Sequence, residues 1–234
     1  MLHKTEGIVL RAIPYGETSM ICTMFTLQFG RQSYLINGAR SAKSKTRALL
    51  QPLTLLDLVV YKRGNRNLER IKELKPLQLY HSIPFDRLKR SIGLFMSELI
   101  YKSIVEENTD EELFVFLKNT LLSLDSAPVT APDYPIRFML ELTKYLGFYP
   151  QSGYEISNSF FDMQHGSFSS QAPMHLNYLH GTLSGLFGKF ISEEDFVPKS
   201  AERKQLLHVL ENYYRLHIPG FNGLASPAIL EVVL

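Results

Sequence analysis

The sequence predicts an α+β fold in which a five-stranded β-barrel precedes an all-α helical domain with one irregular insertion. Up to residue 80, short apolar and β-branched segments alternate with turn signals, whereas apolar residues recur at helical spacing after Pro84. The net charge also changes sign near this point. At roughly 150 residues per domain, a length of 234 residues predicts between one and two domains. We therefore expect domains at 1–80 and 81–234.

The first half of the chain contains five candidate strands. They cover residues 7–13, 18–27, 32–36, 53–61 and 68–74. Turn residues separate the first three, and a polar segment at 40–51 that ends in a short helical pattern separates the third from the fourth. Five strands with an insertion between the third and fourth match the strand order of an OB-fold barrel, a fold whose loops bind oligonucleotides.

The second half has the apolar periodicity of helices. Five helices are predicted. The second begins at a capping box at 109–112, and the others cover residues 88–100, 133–146, 175–191 and 200–216. Residues 148–173 are rich in Ser and Gly and have no helical period, so this segment is the predicted insertion.

Composition excludes several protein classes. Hydrophobic residues make up 45% and charged residues 21% of the chain, which is typical of a globular protein and not of a disordered or fibrous one. No apolar run approaches the roughly 18 residues that span a bilayer. The first residues have no apolar core of a secretion signal, so we expect a cytoplasmic protein. The single cysteine, Cys22, excludes an internal disulfide and a multi-cysteine zinc site.

The two halves carry opposite charge. The first 80 residues hold 13 Lys and Arg against 5 Asp and Glu, a net charge of +8, whereas the remainder holds 12 against 18, a net charge of −6. A basic segment of this size attracts polyanions, and an acidic one does not. We therefore expect the first half to bind nucleic acid.

Motifs of catalysis are missing from the sequence. It contains no phosphate-binding loop, no dinucleotide glycine fingerprint and no H-E-x-x-H. His175 and His180 are five residues apart, one more than the spacing that places two imidazoles on one helix face. A small hydrolase that uses Asp57 or Asp162 together with a histidine is a further alternative. The sequence does not support it, because no histidine stands at a recognisable catalytic spacing from either aspartate. We predict no enzyme and no metal site.

The strongest functional signal is a basic segment between the third and fourth strands. Its cations alternate with three hydroxyl residues and with no acid: Arg40, Lys43, Lys45 and Arg47. Lys and Arg supply charge to phosphates, and Ser and Thr supply short hydrogen-bond donors. A second cluster, Lys62, Arg63 and Arg66, occupies the later hairpin and is expected to line the same groove.

Aromatic side chains on or beside the strands are candidates for base stacking. They are Tyr15, Phe29, Tyr34 and Tyr61. A base stacked on an aromatic face contributes about 1–3 kcal/mol to single-strand binding. We expect Tyr34, together with the neighbouring Arg31, to make this contact.

Short motifs in this order resemble those of the RecO family, the bacterial recombination mediators of the RecF pathway. The N-terminal motifs are Glu6-Gly7-Ile8-Val9-Leu10, Tyr15-Gly16-Glu17, Gly30, Gly38-Ala39-Arg40, Lys43-Ser44 and Leu50-Gln51-Pro52-Leu53. Two C-terminal motifs, Arg203-Lys204-Gln205-Leu206-Leu207 and Ser226-x-x-x-Leu230, also look like that family. The resemblance covers essentially the whole chain.

The resemblance implies an OB-fold followed by a helical domain in a protein that binds single- and double-stranded DNA. Such proteins anneal complementary strands, bind RecR and the C-terminal tail of single-stranded-DNA-binding protein, and help to load RecA. The resemblance also places the basic segment 40–47 on the family's basic loop. It further implies that the protein acts at the nucleoid. The alternative is an RNA-binding OB module whose helical domain contacts another protein, because charge and stacking do not separate DNA from RNA.

One departure concerns metal. Many members of the family carry a four-cysteine zinc module in the insertion of the helical domain, and the corresponding segment 148–173 has no cysteine. Phe161-Asp162 and Gly166-x-Phe168 remain there. We therefore expect a metal-free hairpin and a zinc-less variant of the family.

Overall fold

The N-terminal part of the chain folds into a closed five-stranded barrel, as predicted. The computed structural model describes residues 1–41, 44–62, 68–105 and 108–226. The strands are β1 (Leu2–Tyr15), β2 (Ser19–Thr26), β3 (Gly30–Ile36), β4 (Leu55–Tyr61) and β5 (Glu69–Pro76), in the order β1-β2-β3-β5-β4. A short helix, α1 (Thr46–Leu49), lies between β3 and β4. The predicted OB-fold order is therefore confirmed.

The first strand is long enough to pair with two neighbours. Its first half, Leu2 to Ile8, pairs with β4, and its second half, Gly7 to Tyr15, pairs with β2. The register shifts between Val9 and Arg11, and an extra residue of this kind bends a strand. At Gly7 a Cβ atom would lie 2.7 Å from Leu58 Cδ1, so the missing side chain leaves room for Leu58 in the barrel interior.

The barrel interior is filled by side chains that alternate with outward-facing ones. Buried residues from β1 to β4 include Val9, Cys22, Met24, Tyr34 and Leu58. Burial raises the pKa of the Cys22 thiol to about 12, so this cysteine stays a neutral thiol and packs as a small apolar side chain.

Two helices complete the first compact unit, which covers Met1–Thr130. They are α2 (Arg87–Ser103) and α3 (Glu111–Ser126). Asp110 caps α3, because its carboxylate accepts a hydrogen bond from Leu113 N at 2.8 Å. The cap therefore lies one residue after Thr109, where the predicted capping box begins. This compact unit continues past residue 80. The domain boundary between residues 80 and 81, which we based on charge and composition, stays a prediction.

A buried carboxylate joins the barrel to these helices. Asp125, at the end of α3, accepts hydrogen bonds from the backbone N–H groups of His81, Ser82 and Ile83, at 2.8 to 2.9 Å. The buried ammonium of Lys89 in α2 donates to the carbonyl oxygens of Asp125 and Ala127. The segment that leaves the barrel is thereby fixed to both helices.

The second compact unit begins at Ala131 and is built mainly from helices. They are α4 (Tyr134–Tyr145), α5 (Gly181–Ser192) and α6 (Ser200–His217). Three short strands lie between α4 and α5: β6 (Phe160–Asp162) and β7 (Ser167–Ser169) within the insertion, and β8 (Tyr178–Leu179) after it, in the order β7-β6-β8. The predicted hairpin is therefore present as β6 and β7. Across the described part of the chain, no helix combines the length and apolar character needed to cross a membrane.

The fourth predicted helix begins later than expected. The structure starts α5 at Gly181, whereas the periodicity predicted a start near residue 175. Leu179 is buried and pairs with Phe161 as a strand, and His180 is extended before the helix. Tertiary pairing with the hairpin therefore overrides the local helical pattern.

Replacement of Asp125 by Ala tests the clamp, by which we mean the hydrogen bonds from the backbone N–H groups of residues 81–83 to the Asp125 carboxylate. It leaves three backbone donors without their acceptor, and unsatisfied buried groups cost about 1–3 kcal/mol each. We expect the free energy of unfolding, measured with urea, to fall by about 2 kcal/mol or more. Ser126→Ala, at the exposed neighbour, should stay within about 0.5 kcal/mol of the unaltered chain. Equal values for the two variants would contradict the clamp.

The clamp also predicts a dependence on pH. Burial raises the pKa of Asp125, but the hydrogen bonds from His81, Ile83 and Ser82 outweigh it and hold that pKa below the ordinary value of 3.8. A carboxyl with a depressed pKa stabilises the fold above its unfolded value and loses this contribution as the pH falls through the folded value. The stability difference between the unaltered chain and Asp125→Ala should therefore narrow below about pH 4. A constant difference from neutral to acid pH would show that ionisation of Asp125 does not contribute.

Candidate nucleic-acid interface

The predicted basic segment forms the connection between β3 and α1. Arg40 is exposed, and its backbone N–H donates to Thr18 O at 2.8 Å while its guanidinium donates to Gly16 O at 3.2 Å. Ala39 beside it is buried and anchors the connection in the barrel. The basic segment is therefore attached to the turn between β1 and β2.

Two further cations of this segment point into solvent. Lys45 precedes α1 and Arg47 lies within it, and both are exposed. Neither forms an ion pair with another residue that the structure describes. Lys43 lies outside the described residues. The placed cations Arg40, Lys45 and Arg47 are thus accessible to phosphate groups.

The second predicted cluster is only partly placed. Arg63 and Arg66 lie outside the described residues. Lys62, at the end of β4, is half-buried: its ammonium donates to Gln32 Oε1 at 3.1 Å and lies 5.5 Å from the centre of the Phe29 ring. Lys62 therefore helps to hold the barrel wall, and its charge is less accessible than that of Lys45.

Tyr34 does not stack on a base, contrary to our expectation. Its side chain is 1% exposed and packs inside the barrel against Cys22 and its neighbours, and this burial raises the pKa of its hydroxyl well above the ordinary value. On β3 the buried positions alternate from Gly30 to Ile36, and Tyr34 falls on the buried set. Ile36 in the buried set and Leu35 in the outer set are both apolar, so alternation in the sequence did not separate the two faces of this strand.

Arg31 is also used within the fold. It lies on the outward face of β3, but its guanidinium stacks over the Tyr101 ring at 4.5 Å from the ring centre. It donates to Tyr101 O at 2.9 Å and to Ile104 O. Arg31 thus fixes the end of α2 to the barrel, and its contact with DNA stays a prediction.

Tyr15 is the exposed aromatic side chain beside the basic segment. Tyr15 is the last residue of β1, and its side chain is 52% exposed. It directly precedes Gly16, whose carbonyl oxygen accepts a hydrogen bond from the Arg40 guanidinium. An exposed ring next to an exposed cation is an arrangement found in proteins that bind single strands. Sequence reasoning included Tyr15 among four candidates but preferred Tyr34, because it did not resolve the inner from the outer face of β3.

The hairpin of β6 and β7 and the segment that follows it bring together three possible metal ligands. Asp162 Oδ2, His165 Nδ1 and His175 Nε2 lie within 4.8 Å of one another. Asp162 already accepts hydrogen bonds at this oxygen from His165 at 2.8 Å and from His175 at 3.3 Å. His175 Nδ1 accepts from Asn177 N at 3.2 Å, which places the ring proton on Nε2.

These three groups do not fit a zinc site. A neutral histidine that binds metal through Nε2 carries its proton on Nδ1, where the N–H of Asn177 already points. A structural zinc site also uses four ligands, and the described hairpin supplies three. The arrangement of Asp162, His165 and His175 instead matches a hydrogen-bonded link across the hairpin.

Metal analysis tests this conclusion. Purified protein without an affinity tag should contain far less than one zinc per chain, and a chelator should leave its melting temperature unchanged. Asp162→Asn removes a charged acceptor from His165 and His175, so it should lower the melting temperature by the same amount with and without chelator. One tightly held zinc per chain, lost with the Asn variant, would contradict the hydrogen-bonded link.

Replacement of Tyr15 by Ala tests the stacking position. We expect affinity for an oligothymidylate to fall by about tenfold, which corresponds to roughly 1.4 kcal/mol within the range for one stacked base. The matched variant Tyr34→Phe keeps the buried ring and should bind as the unaltered chain does. An unchanged affinity for Tyr15→Ala, in a protein with its normal melting temperature, would remove Tyr15 from the interface.

Comparison with known proteins identifies the family of the whole chain. Residues 1–80 match the family model described as "Recombination protein O N terminal", and residues 84–224 match "Recombination protein O C terminal". The chain is 39% identical to the DNA repair protein RecO of Flavobacterium psychrophilum over 244 residues, covering 100% of this chain and 98% of the relative. It is 34% identical to the DNA repair protein RecO of Bacteroides fragilis over 238 residues, covering 99% and 98%. These matches agree with the resemblance and the barrel, and the chain belongs to the RecO family of DNA repair proteins.

Proposed function

We propose that this chain binds single-stranded DNA through the basic segment 40–47 and anneals complementary strands. The observation that carries the proposal is the position of Arg40, Lys45 and Arg47, which are exposed on a connection tied to the turn that bears Tyr15. Cations next to an exposed ring provide phosphate contacts and a stacking surface together. The net charge of +8 in the first 80 residues supports this assignment.

The proposed role extends to partners. A protein that holds single strands on one basic surface brings complementary strands together by binding, without a chemical step. We propose that it acts without catalytic activity at the nucleoid, on single- and double-stranded DNA, with RecR and the C-terminal tail of single-stranded-DNA-binding protein, and assists RecA loading. Membership of a DNA repair family supports this role.

The salt dependence of binding tests the basic segment. Each neutralised phosphate on single-stranded DNA contributes about 0.7 to the slope of log affinity against log salt concentration. If Arg40, Lys43, Lys45 and Arg47 each contact a phosphate, their joint replacement by Ala should flatten the slope by about 3. Binding should weaken for any base sequence, because phosphates carry no base information. Stability should stay within about 0.5 kcal/mol.

A matched control separates contact from net charge. Arg87→Ala/Arg90→Ala removes two exposed cations of α2 from the same compact unit, and we expect its slope to match the unaltered chain. A folded quadruple variant with the original slope would remove the segment from the interface. The same oligonucleotide made as RNA tests the alternative, because tighter binding to RNA than to DNA would favour the RNA-binding module.

A further inference from the structure

A groove runs along the outer surface of the barrel where β3 and β5 meet. Among the described residues, the two strands pair at two positions, Tyr34 with Glu69 and Leu35 with Arg70. Beyond this contact the strands leave a groove of about 630 Å³, which residues of β3, β4 and β5 line. Leu35 and Val59 contribute half-buried apolar surface to it. The groove therefore has an apolar wall on the outside of a closed barrel.

The charges that line the groove are predominantly positive. Four cations and two acids line it: Lys4, Arg70, Lys72, Lys75, Asp57 and Glu73. Asp57 lies 3.1 Å from the ammonium of Lys75, and Glu73 lies 3.5 Å from that of Lys72, so both acids are neutralised locally. Lys4 and Arg70 are exposed and form no ion pair with a described residue. Two cations are thus left to attract an anion.

The groove continues into the basic segment. Asn37 and Thr46 line it, and they belong to the connection that also carries Arg40, Lys45 and Arg47. Asn37 Oδ1 accepts from Ser19 Oγ at 3.3 Å, next to the turn after Tyr15. The groove therefore adjoins the basic segment.

We propose that this groove holds an unpaired nucleotide of the strand that the basic segment binds, with phosphate oxygens at Lys4 and Arg70 and the base against Leu35 and Val59. The proposal rests on the proposed function and names the substrate class of its site. Clefts of roughly 300–1,000 Å³ hold one small organic molecule, so the groove has room for a nucleotide and not for a double helix. Arginine favours phosphate because its guanidinium donates two parallel hydrogen bonds. Continuity with the basic segment favours a nucleic acid over an acidic peptide.

The double variant Lys4→Ala/Arg70→Ala tests the groove in the full chain. For an oligothymidylate, the slope of log affinity against log salt should flatten by about 1.4, since two phosphate contacts at about 0.7 each are lost. For a blunt duplex of the same length, the slope should equal that of the unaltered chain, because a duplex does not enter the groove. Arg87→Ala/Arg90→Ala removes the same charge outside the groove and should change neither slope. Melting temperatures should agree among the three proteins, since all four side chains are exposed.

Each other result overturns the proposal in a distinguishable way. If the unaltered chain does not bind the oligothymidylate, the proposed function fails and the groove proposal fails with it. If the unaltered chain binds and Lys4→Ala/Arg70→Ala keeps its slope, only the groove proposal fails. An equal loss on the duplex, or an equal loss in the control variant, assigns these cations to general attraction. A variant that loses binding of a polyglutamate peptide but keeps the oligothymidylate slope assigns the groove to an acidic peptide.

Discussion

The first compact unit depends on the pairing of β1 with both β4 and β2. A single strand of 14 residues closes the barrel because its register shift lets it turn from one neighbour to the other. Closure fixes the turn after Tyr15 at the end of the barrel, where Thr18 O accepts the backbone N–H of Arg40. The candidate interface is therefore a consequence of barrel closure: the same strand that completes the wall also positions the aromatic ring and the attachment point of the basic segment.

The cations of this barrel lie in two different environments. Arg31 and Lys62 hold the wall and the adjacent helix by stacking and hydrogen bonding, and their charge is partly enclosed. Lys45 and Arg47 are exposed instead, and no acid that the structure describes neutralises them. A count of basic residues in the sequence therefore overstates the number available to DNA, and the structure separates the two groups by what each side chain contacts.

Periodicity predicted the elements of the fold, and tertiary pairing decided where they end. The barrel order and the helices followed from apolar spacing and turn residues, which act locally. The first residues of β1 are mostly polar and become a strand because β4 pairs with them, and the segment before Gly181 is extended because Leu179 pairs with the hairpin. These effects come from residues distant in sequence, so no local pattern contains them.

The candidate site was predictable in its location but not in its details. Four cations without an acid identified the segment that begins at Arg40, since charge is visible in the sequence. The inner and outer faces of β3 could not be predicted, because both sets of alternating residues contain apolar side chains. Tyr34 was therefore predicted to lie outside the barrel, whereas it lies inside. The groove beside Arg70 was also invisible, because the strands that line it are far apart in the sequence.

The central claim is that one continuous surface of the barrel carries the DNA strand. Photo-crosslinking of the full chain to an oligothymidylate, followed by mass-spectrometric mapping of the linked peptides, tests it most directly. The account predicts crosslinks in the turn after Tyr15, in the segment 37–47 and in β5 near Arg70, with few in the second compact unit. Crosslinks concentrated between residues 131 and 226, with the barrel segments unlinked, would contradict it.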